Sequence, residues 1–219
     1  MKRLLVLRPE PGASATGLRA EKMGLLPIIC PLFEIEPLEW QLPDPLAFEG
    51  LLLTSANAVR HAGEGLERVR HLPVFAVGEA TAEAARSAGL TVCRTGDRNV
   101  ASLLAALDRP HRLLHLCGQH SVAVEGPHEI ARCPVYRAAP VADPELPIAA
   151  DLVAMVHSPR AGARLSELVT ERSGFAIAAI SEAAAEACGT GWLALSVAER
   201  PTDGALLALA ARLCQDRGQ

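Results

Sequence analysis

The sequence predicts an α/β protein built from two similar parallel-sheet α/β domains joined by a two-stranded linker, and three observations predict it. First, the chain overlays itself at an offset of 103 residues, 51–107 on 154–210 without a gap, with 13 of 57 positions identical. Ala and Leu supply most of those identities, yet the matched pairs hold one offset and fall at corresponding strand and helix positions. Second, short, continuously apolar runs alternate with helical periodicity, the β-α-β-α succession of a doubly wound parallel sheet. Third, two extended, proline-bounded segments, Phe33–Glu39 and Val135–Val141, match each other at that same offset and break the rhythm.

Taken in order, Leu4–Leu7 opens the chain as a buried strand, and Gly50–Leu53 is the next. A helix is predicted over Ala56–Val69 behind Ser55, then a strand at Val74–Val77 and a helix over Glu79–Ser87 behind Gly78. Leu90–Val92 reads as a strand, Val100–Leu107 as a helix behind Asn99, and Leu113–Leu116 as a strand. A helix is then expected within 119–129, but Gly126-Pro127 interrupts it, so it is shortened or lost. The second copy repeats the plan: strand Leu152–Val156, helix Arg160–Val169 behind Ser158, strand Ala176–Ile180, helix Glu182–Cys188 behind Ser181, strand Leu193–Leu195, and helix Asp203–Leu213 behind Thr202. The two proline-bounded segments are poor helix and poor buried strand, which makes them exposed linker strands at 34–40 and 133–141. One domain is then 41–132, the other is the discontinuous 1–33 plus 142–219, and a ligand cleft is expected between them.

Composition narrows the function. A net charge of −4 with no Lys/Arg cluster argues against a nucleic-acid surface. No apolar stretch approaches the ~20 residues of a membrane span and no secretory signal opens the chain, so a cytoplasmic protein is expected. Six scattered cysteines without a C-x-x-C pair read as reduced thiols. His111, His115, His120 and His128 lie near Cys117 and Cys133, but their spacing fits no zinc pattern, so no metal is assigned.

In an open α/β sheet, ligands sit at the carboxyl ends of the strands, where helix N-termini favour anions. Thr54-Ser55-Ala56-Asn57 and Val77-Gly78-Glu79-Ala80-Thr81 form such junctions in one half; His157-Ser158-Pro159-Arg160 and Ile180-Ser181-Glu182 form them in the other. Ser55, Ser158 and Ser181 are equally suited to be plain helix caps. There is no G-x-G-x-x-G after a strand, no P-loop and no G-x-S-x-G elbow. Tyr136, the only tyrosine, lies in a predicted linker strand. Its phenol suits either proton donation to a leaving oxygen or a packing role with the hydroxyl in water.

Together these motifs resemble the uroporphyrinogen-III synthase (HemD) family across essentially the whole chain. The matches are Leu7-Arg8-Pro9, Leu53-Thr54-Ser55-Ala56-Asn57, Val77-Gly78-Glu79-Ala80-Thr81, Leu114-His115-Leu116-Cys117-Gly118, Pro134-Val135-Tyr136-Arg137, His157-Ser158-Pro159-Arg160 and Pro201-Thr202. The resemblance implies two HemD-like α/β domains and no cofactor. It implies cyclisation of hydroxymethylbilane to uroporphyrinogen III, with ring D inverted and the hydroxymethyl oxygen lost as water. It also implies Tyr136 as the catalytic group, and Arg8, Ser55, Asn57, Gly78, Thr81, Ser158, Arg160 and Ser181 as substrate-binding residues. For the carboxylate-rich substrate so implied, Arg60, Arg98 and Arg137 are further candidate anchors, each also readable as a solvated surface charge. The expected partner is that small molecule alone, with no nucleic acid and no membrane, and the protein is expected to be a monomer. One motif departs from the family: Ile180-Ser181-Glu182-Ala183-Ala184 stands where I-G-x-x-T is usual, so a non-catalytic or weakened tetrapyrrole-binding homologue is the alternative. A two-lobed sugar- or amino-acid-binding module would want cleft aromatics, and two Trp, one Tyr and four Phe are too few.

Overall fold

The eight apolar runs all coincide with or overlap strands in the computed structural model, which describes residues 3–96, 99–147 and 151–215. Two units emerge, Met1–Glu34 with Ala139–Gln219, and Ile35–Ala138. In chain order, the first unit opens with strand β1 (Arg3–Val6), helix α1 (Gly12–Lys22) and strand β2 (Pro27–Ile29). Strand β3 (Phe33–Pro37) straddles the crossing into the second unit. That unit holds β4 (Gly50–Leu53), α2 (Ala56–His61), α3 (Gly65–Arg68), β5 (Val74–Val77), α4 (Glu79–Ser87), β6 (Val92–Gly96), α5 (Val100–Ala105), β7 (Arg112–Gly118) and β8 (Glu129–Pro140). The first unit then resumes with β9 (Leu152–Val156), α6 (Pro159–Leu168), β10 (Phe175–Ala179), α7 (Glu182–Cys188), β11 (Ala194–Val197) and α8 (Asp203–Gln215).

The first unit is a five-stranded, wholly parallel sheet in the order β11-β10-β9-β1-β2. Leu4, Val6, Val153, Met155, Ala176 and Ala178 share one face with Ala13 and Ala20 of α1 and Leu206, Leu207 and Ala210 of α8. The alternate residues Leu5, Ala154 and Ile177 are also fully buried, on the side where α6 and α7 pack over β9 and β10. Helix α1 and strand β2 are additions to the elements read from the sequence. The buried face of α1 is Ala13, Thr16, Gly17 and Ala20, small residues at helical spacing that carry almost no hydrophobic signal, and Pro11 before it offers no side-chain cap. A β-carbon on Gly17 would lie 2.8 Å from Cδ1 of Ile29, the far end of a flexible and partly exposed side chain that would have to swing aside.

A firmer constraint sets the approach of α6 to α7. A β-carbon at Gly162 would fall 2.7 Å from the Ala184 carbonyl oxygen, a backbone atom with no rotamer to escape into. Gly162→Val is therefore expected to destabilise the protein by about 1–3 kcal/mol through overpacking, read as a lower urea midpoint at unchanged slope. Gly204→Ala, where none of the described residues comes within 4 Å of the added carbon, should be neutral or mildly stabilising.

In the second unit the sheet order is β3-β8-β7-β4-β5-β6, with β4 to β8 parallel. One face joins Leu51, Leu53, Leu114, Leu116, Cys133 and Val135 to Ala58, Val59, Leu66, Ala82 and Ala85 from α2, α3 and α4. The other joins Leu52, Phe75 and Leu113 to Leu103 and Leu104 of α5. The single helix predicted over Ala56–Val69 is two, because Gly63 turns the chain at φ +60° between them. The residues between β7 and β8, all of them described, form no helix, the outcome the Gly126-Pro127 interruption predicts.

The segment 133–141 departs most from its expected exposed state. Residues 133–140 are the second part of β8, which pairs in parallel with β7 from Glu129 as far as Tyr136. Cys133 and Val135 are buried in the sheet's core, with Val135 fully inaccessible. The prolines that argued against a sheet strand are tolerated because β8 has only the short β3 beyond it. Leu38 N–H donates to Val135 O and Val141 N–H to Leu32 O, so β3 runs antiparallel to β8 at the sheet's edge.

Candidate functional site

Parallel strands place all their carboxyl ends on one edge, so each unit gathers its strand-to-helix junctions there without further design. In the second unit Ser55 is extended and its Oγ accepts from the Asn57 N–H at 3.2 Å, capping α2. The Asn57 side-chain oxygen accepts from Arg60 at 3.1 Å. Gly78 begins α4 at φ +83°, a conformation that favours glycine. Its N–H donates to Gly96 O at 2.7 Å while its carbonyl accepts from Thr81 and Ala82. Thr81 is buried in the first turn of that helix.

Tyr136 reaches this edge by a break in register. Up to Cys117↔Pro134 the β7–β8 pairing is regular, and the next pair is Gly118↔Tyr136, leaving Val135 as the extra residue of a β-bulge. Strict alternation would put Ala131, Cys133 and Val135 on one face and Tyr136 on the other with Ile130. Instead Tyr136 packs on the same core cluster as Ala131, Cys133 and Val135, while Ile130 lies against the α5 side. The bulge thus turns the phenol onto the α2 side of the sheet, where its ring centroid is 6.2 Å from that of His61. Further back on β7, opposite Arg132, His115 is 1% exposed. Its Nε2 lies 3.0 Å from Thr54 Oγ1 and its Nδ1 has no hydrogen-bond partner among the described residues. Burial, with the nearby Arg132 guanidinium adding to it, pushes this imidazole down to about 4.

In the first unit Ser158 and Ser181 are likewise caps, accepting from Ala161 N–H at 3.2 Å and Ala184 N–H at 3.3 Å. Ala184, where the family's threonine is expected, is fully buried against α6. Arg8 leaves β1 and is committed to Asp203 at 2.9 Å. Asp203 Oδ1 also accepts from Thr16 at 2.8 Å and lies 2.8 Å from His157 Nε2, and Oδ2 accepts from Arg19 at 2.6 Å. Burial alone would raise this carboxyl. The hydrogen bonds from His157, Thr16 and Arg19 prevail and hold it well below the usual carboxylate range. A carboxylate anchor read from sequence as Arg8 alone is therefore one arm of an ion-paired cluster. Arg137 is similarly paired, 2.7 Å from Glu36. The Arg160 guanidinium lies over the Phe33 ring, 4.6 Å from its centroid. Arg98 lies outside the described residues.

Sequence reasoning missed Thr16, Arg19, Asp203, His61 and the partnership of Thr54 with His115. Asp203 was legible only as the start of the last helix, since its partners lie on α1 and at the ends of β1 and β9, far away in the chain. The His/Cys group weighed as a metal site does not assemble, for among the described residues no three His, Cys, Asp or Glu are placed to hold an ion. Among the described residues, no helix is long and apolar enough to cross a membrane.

Comparison with known proteins places this arrangement. The family described as "Uroporphyrinogen-III synthase HemD" matches residues 14–208. A uroporphyrinogen-III synthase from Chlorobaculum parvum is 31% identical over 101 residues, which are 42% of this chain and 41% of that protein. The chain thus spans less than half the length of that relative in the aligned region. The fold matches the crystal structure of uroporphyrinogen-III synthetase from Helicobacter pylori 26695 (TM-score 0.67, 18% identity, 97% of this chain and 100% of that one). It also matches a mutant uroporphyrinogen III synthase from Thermus thermophilus (TM-score 0.54, 19% identity, 98% and 100%). At those identities the structures speak for the fold, and the family match, which runs over most of the sequence, decides membership: the chain belongs to the uroporphyrinogen-III synthase HemD family.

Proposed function

We propose that the protein cyclises hydroxymethylbilane to uroporphyrinogen III with inversion of ring D, using Tyr136 as proton donor to the departing hydroxyl. The observation that carries this reading is the family match over residues 14–208, joined to a lone phenol delivered by a bulge to the carboxyl edge of a parallel sheet. In the proposed step the hydroxymethyl C–O bond breaks and the phenol proton leaves with the oxygen as water. The α-proton that ring D gives up on closure restores the phenol, so the reaction is redox-neutral and asks the protein only for proton transfer and charge complementarity. Ser55, Asn57, Gly78 and Thr81 in one unit, and Arg8, Ser158, Arg160 and Ser181 in the other, are proposed to bind substrate carboxylates and pyrrole edges. Support comes from the positions of Ser55, Asn57, Gly78, Thr81, Ser158, Arg160 and Ser181 at helix N-termini on the carboxyl edge of each unit's own sheet, and of Arg8 just past the end of β1, where its guanidinium is shared with Asp203. We read the protein as a cytoplasmic monomer with this small molecule as its partner.

The test is incubation with freshly generated hydroxymethylbilane, oxidation of the products and resolution of the uroporphyrin isomers. Type III as the dominant isomer, undiminished by EDTA, is the expected result. Only the spontaneously formed type I isomer would transfer the protein to the non-catalytic tetrapyrrole-binding reading, which the Ser181 and Ala184 departures motivate.

A further inference from the structure

We infer that Gly118 is a positioning residue for the Tyr136 phenol, and that the pair Gly118–Tyr136, together with the Val135 bulge, is the device that aims the proposed proton donor; this rests on the reading of Tyr136 given above. Gly118 ends β7 and stands opposite Tyr136 immediately after the register shift. A β-carbon built there would lie 2.9 Å from Tyr136 Cζ and 3.0 Å from both Cε2 and Oη. The reacting end of the phenol therefore rests on the bare α-carbon of Gly118. Glycine is needed here for space and not for backbone freedom, since Gly118 is absent from the residues with positive φ. Two further contacts define the ring's place. Gln119 N–H donates to the Tyr136 carbonyl at 2.9 Å, closing the strand pair just past the bulge. The His61 ring bounds the phenol at 6.2 Å between centroids. With Gly118 against one part of the ring and the α2 core against another, an added methyl displaces the hydroxyl. The ring is rigid beyond χ2, so it has no distal torsion with which to absorb the contact.

Gly118→Ala is expected to lower kcat for type III formation about 10-fold with KM unchanged, because a displacement well under 1 Å at a proton donor penalises the transition state and not ground-state binding. In a Tyr136→Phe background the same substitution should change turnover by less than about 2-fold, the two positions acting through one hydroxyl. An equal fall in both backgrounds would overturn the inference by showing that Gly118 acts through packing. An independent readout comes from the chain having a single tyrosine. Isotope-labelled tyrosine gives one ring spin system, and Gly118→Ala should shift it. An unshifted resonance overturns the positioning role, whatever Tyr136→Phe alone reports about proton donation. Should Gly118→Ala not fold, the wild-type protein carries the test: nuclear Overhauser contacts from the tyrosine ring to the Gly118 α-protons and to the His61 ring are expected, and their absence refutes the geometry.

Discussion

Tyr136→Phe is expected to slow type III formation by about 10²-fold while leaving the unfolding free energy within about 0.5 kcal/mol of wild type. The two halves of that expectation have separate causes. Stability is spared because the ring, which packs on the α2-side core, is retained in phenylalanine, and only a hydroxyl on a half-buried side chain is removed. Turnover is not spared, because proton donation to a leaving oxygen is an interaction made in the transition state and absent from bound substrate. The loss is placed at the low end of the general-acid range because the electron-rich pyrrole itself assists ionisation of the hydroxymethyl group. Product analysis at matched protein concentrations, with a denaturant titration of the same preparation, checks both halves. Type III formed by Tyr136→Phe at the wild-type rate, with folding intact, would return the phenol to a packing role. The burden would then pass to the backbone amides at Ser55, Gly78 and Ser158.

What the sequence made legible follows a physical division. Parallel strands buried on both faces are continuously apolar, so β4, β5, β7, β9 and β10 announce themselves. Serine and asparagine caps marked the starts of α2, α5, α6 and α7, and each cap bond forms. Helix α1 was invisible because its buried stripe is Ala, Thr and Gly, all small, and hydrophobic periodicity registers apolar character and not size. For segment 133–141 only the exposure differs from expectation: the chain passes from one unit to the other within it, yet at its start the alternate residues Cys133 and Val135 complete the second unit's core, which prolines and polar neighbours on an outer strand conceal. Of the candidate site, the junction serines and Gly78 were nominated because they sit beside recognisable strand ends, and Thr81 and Tyr136 because their motifs resemble the family's. The Asp203 cluster and the Thr54–His115 contact were not, since they join residues 187, 195 and 61 positions apart in the chain. The side on which Tyr136 sits was also beyond sequence parity, because a bulge reverses parity and nothing in Cys-Pro-Val-Tyr declares one.

The second large effect is a loss of stability in mild acid traceable to His115. In the unfolded chain this imidazole titrates near its ordinary value of 6.5, whereas burial holds it at about 4 in the folded protein. Between those values the unfolded state binds the proton and the folded state refuses it. The contribution is therefore fully present above about pH 6.5 and is lost as pH falls toward 4. Spread over that interval at 1.36 kcal/mol per pH unit, it amounts to about 3 kcal/mol, a large share of a typical domain's stability. The folded state has little means of accommodating the cation. The ring is 1% exposed, Thr54 Oγ1 meets Nε2, Nδ1 has no acceptor for a second proton among the described residues, and the adjacent Arg132 adds like charge. Urea titrations at intervals from pH 8 to 4 should show the wild-type midpoint falling below pH 6.5, and the His115→Gln protein should show a correspondingly shallower fall. Subtracting the two curves cancels the carboxylates that titrate over the same range. A difference flat with pH, or a His115 ring whose chemical shift titrates near 6.5 in the folded protein, would mean that protons reach this site freely and that the β7 core is more open than its packing implies.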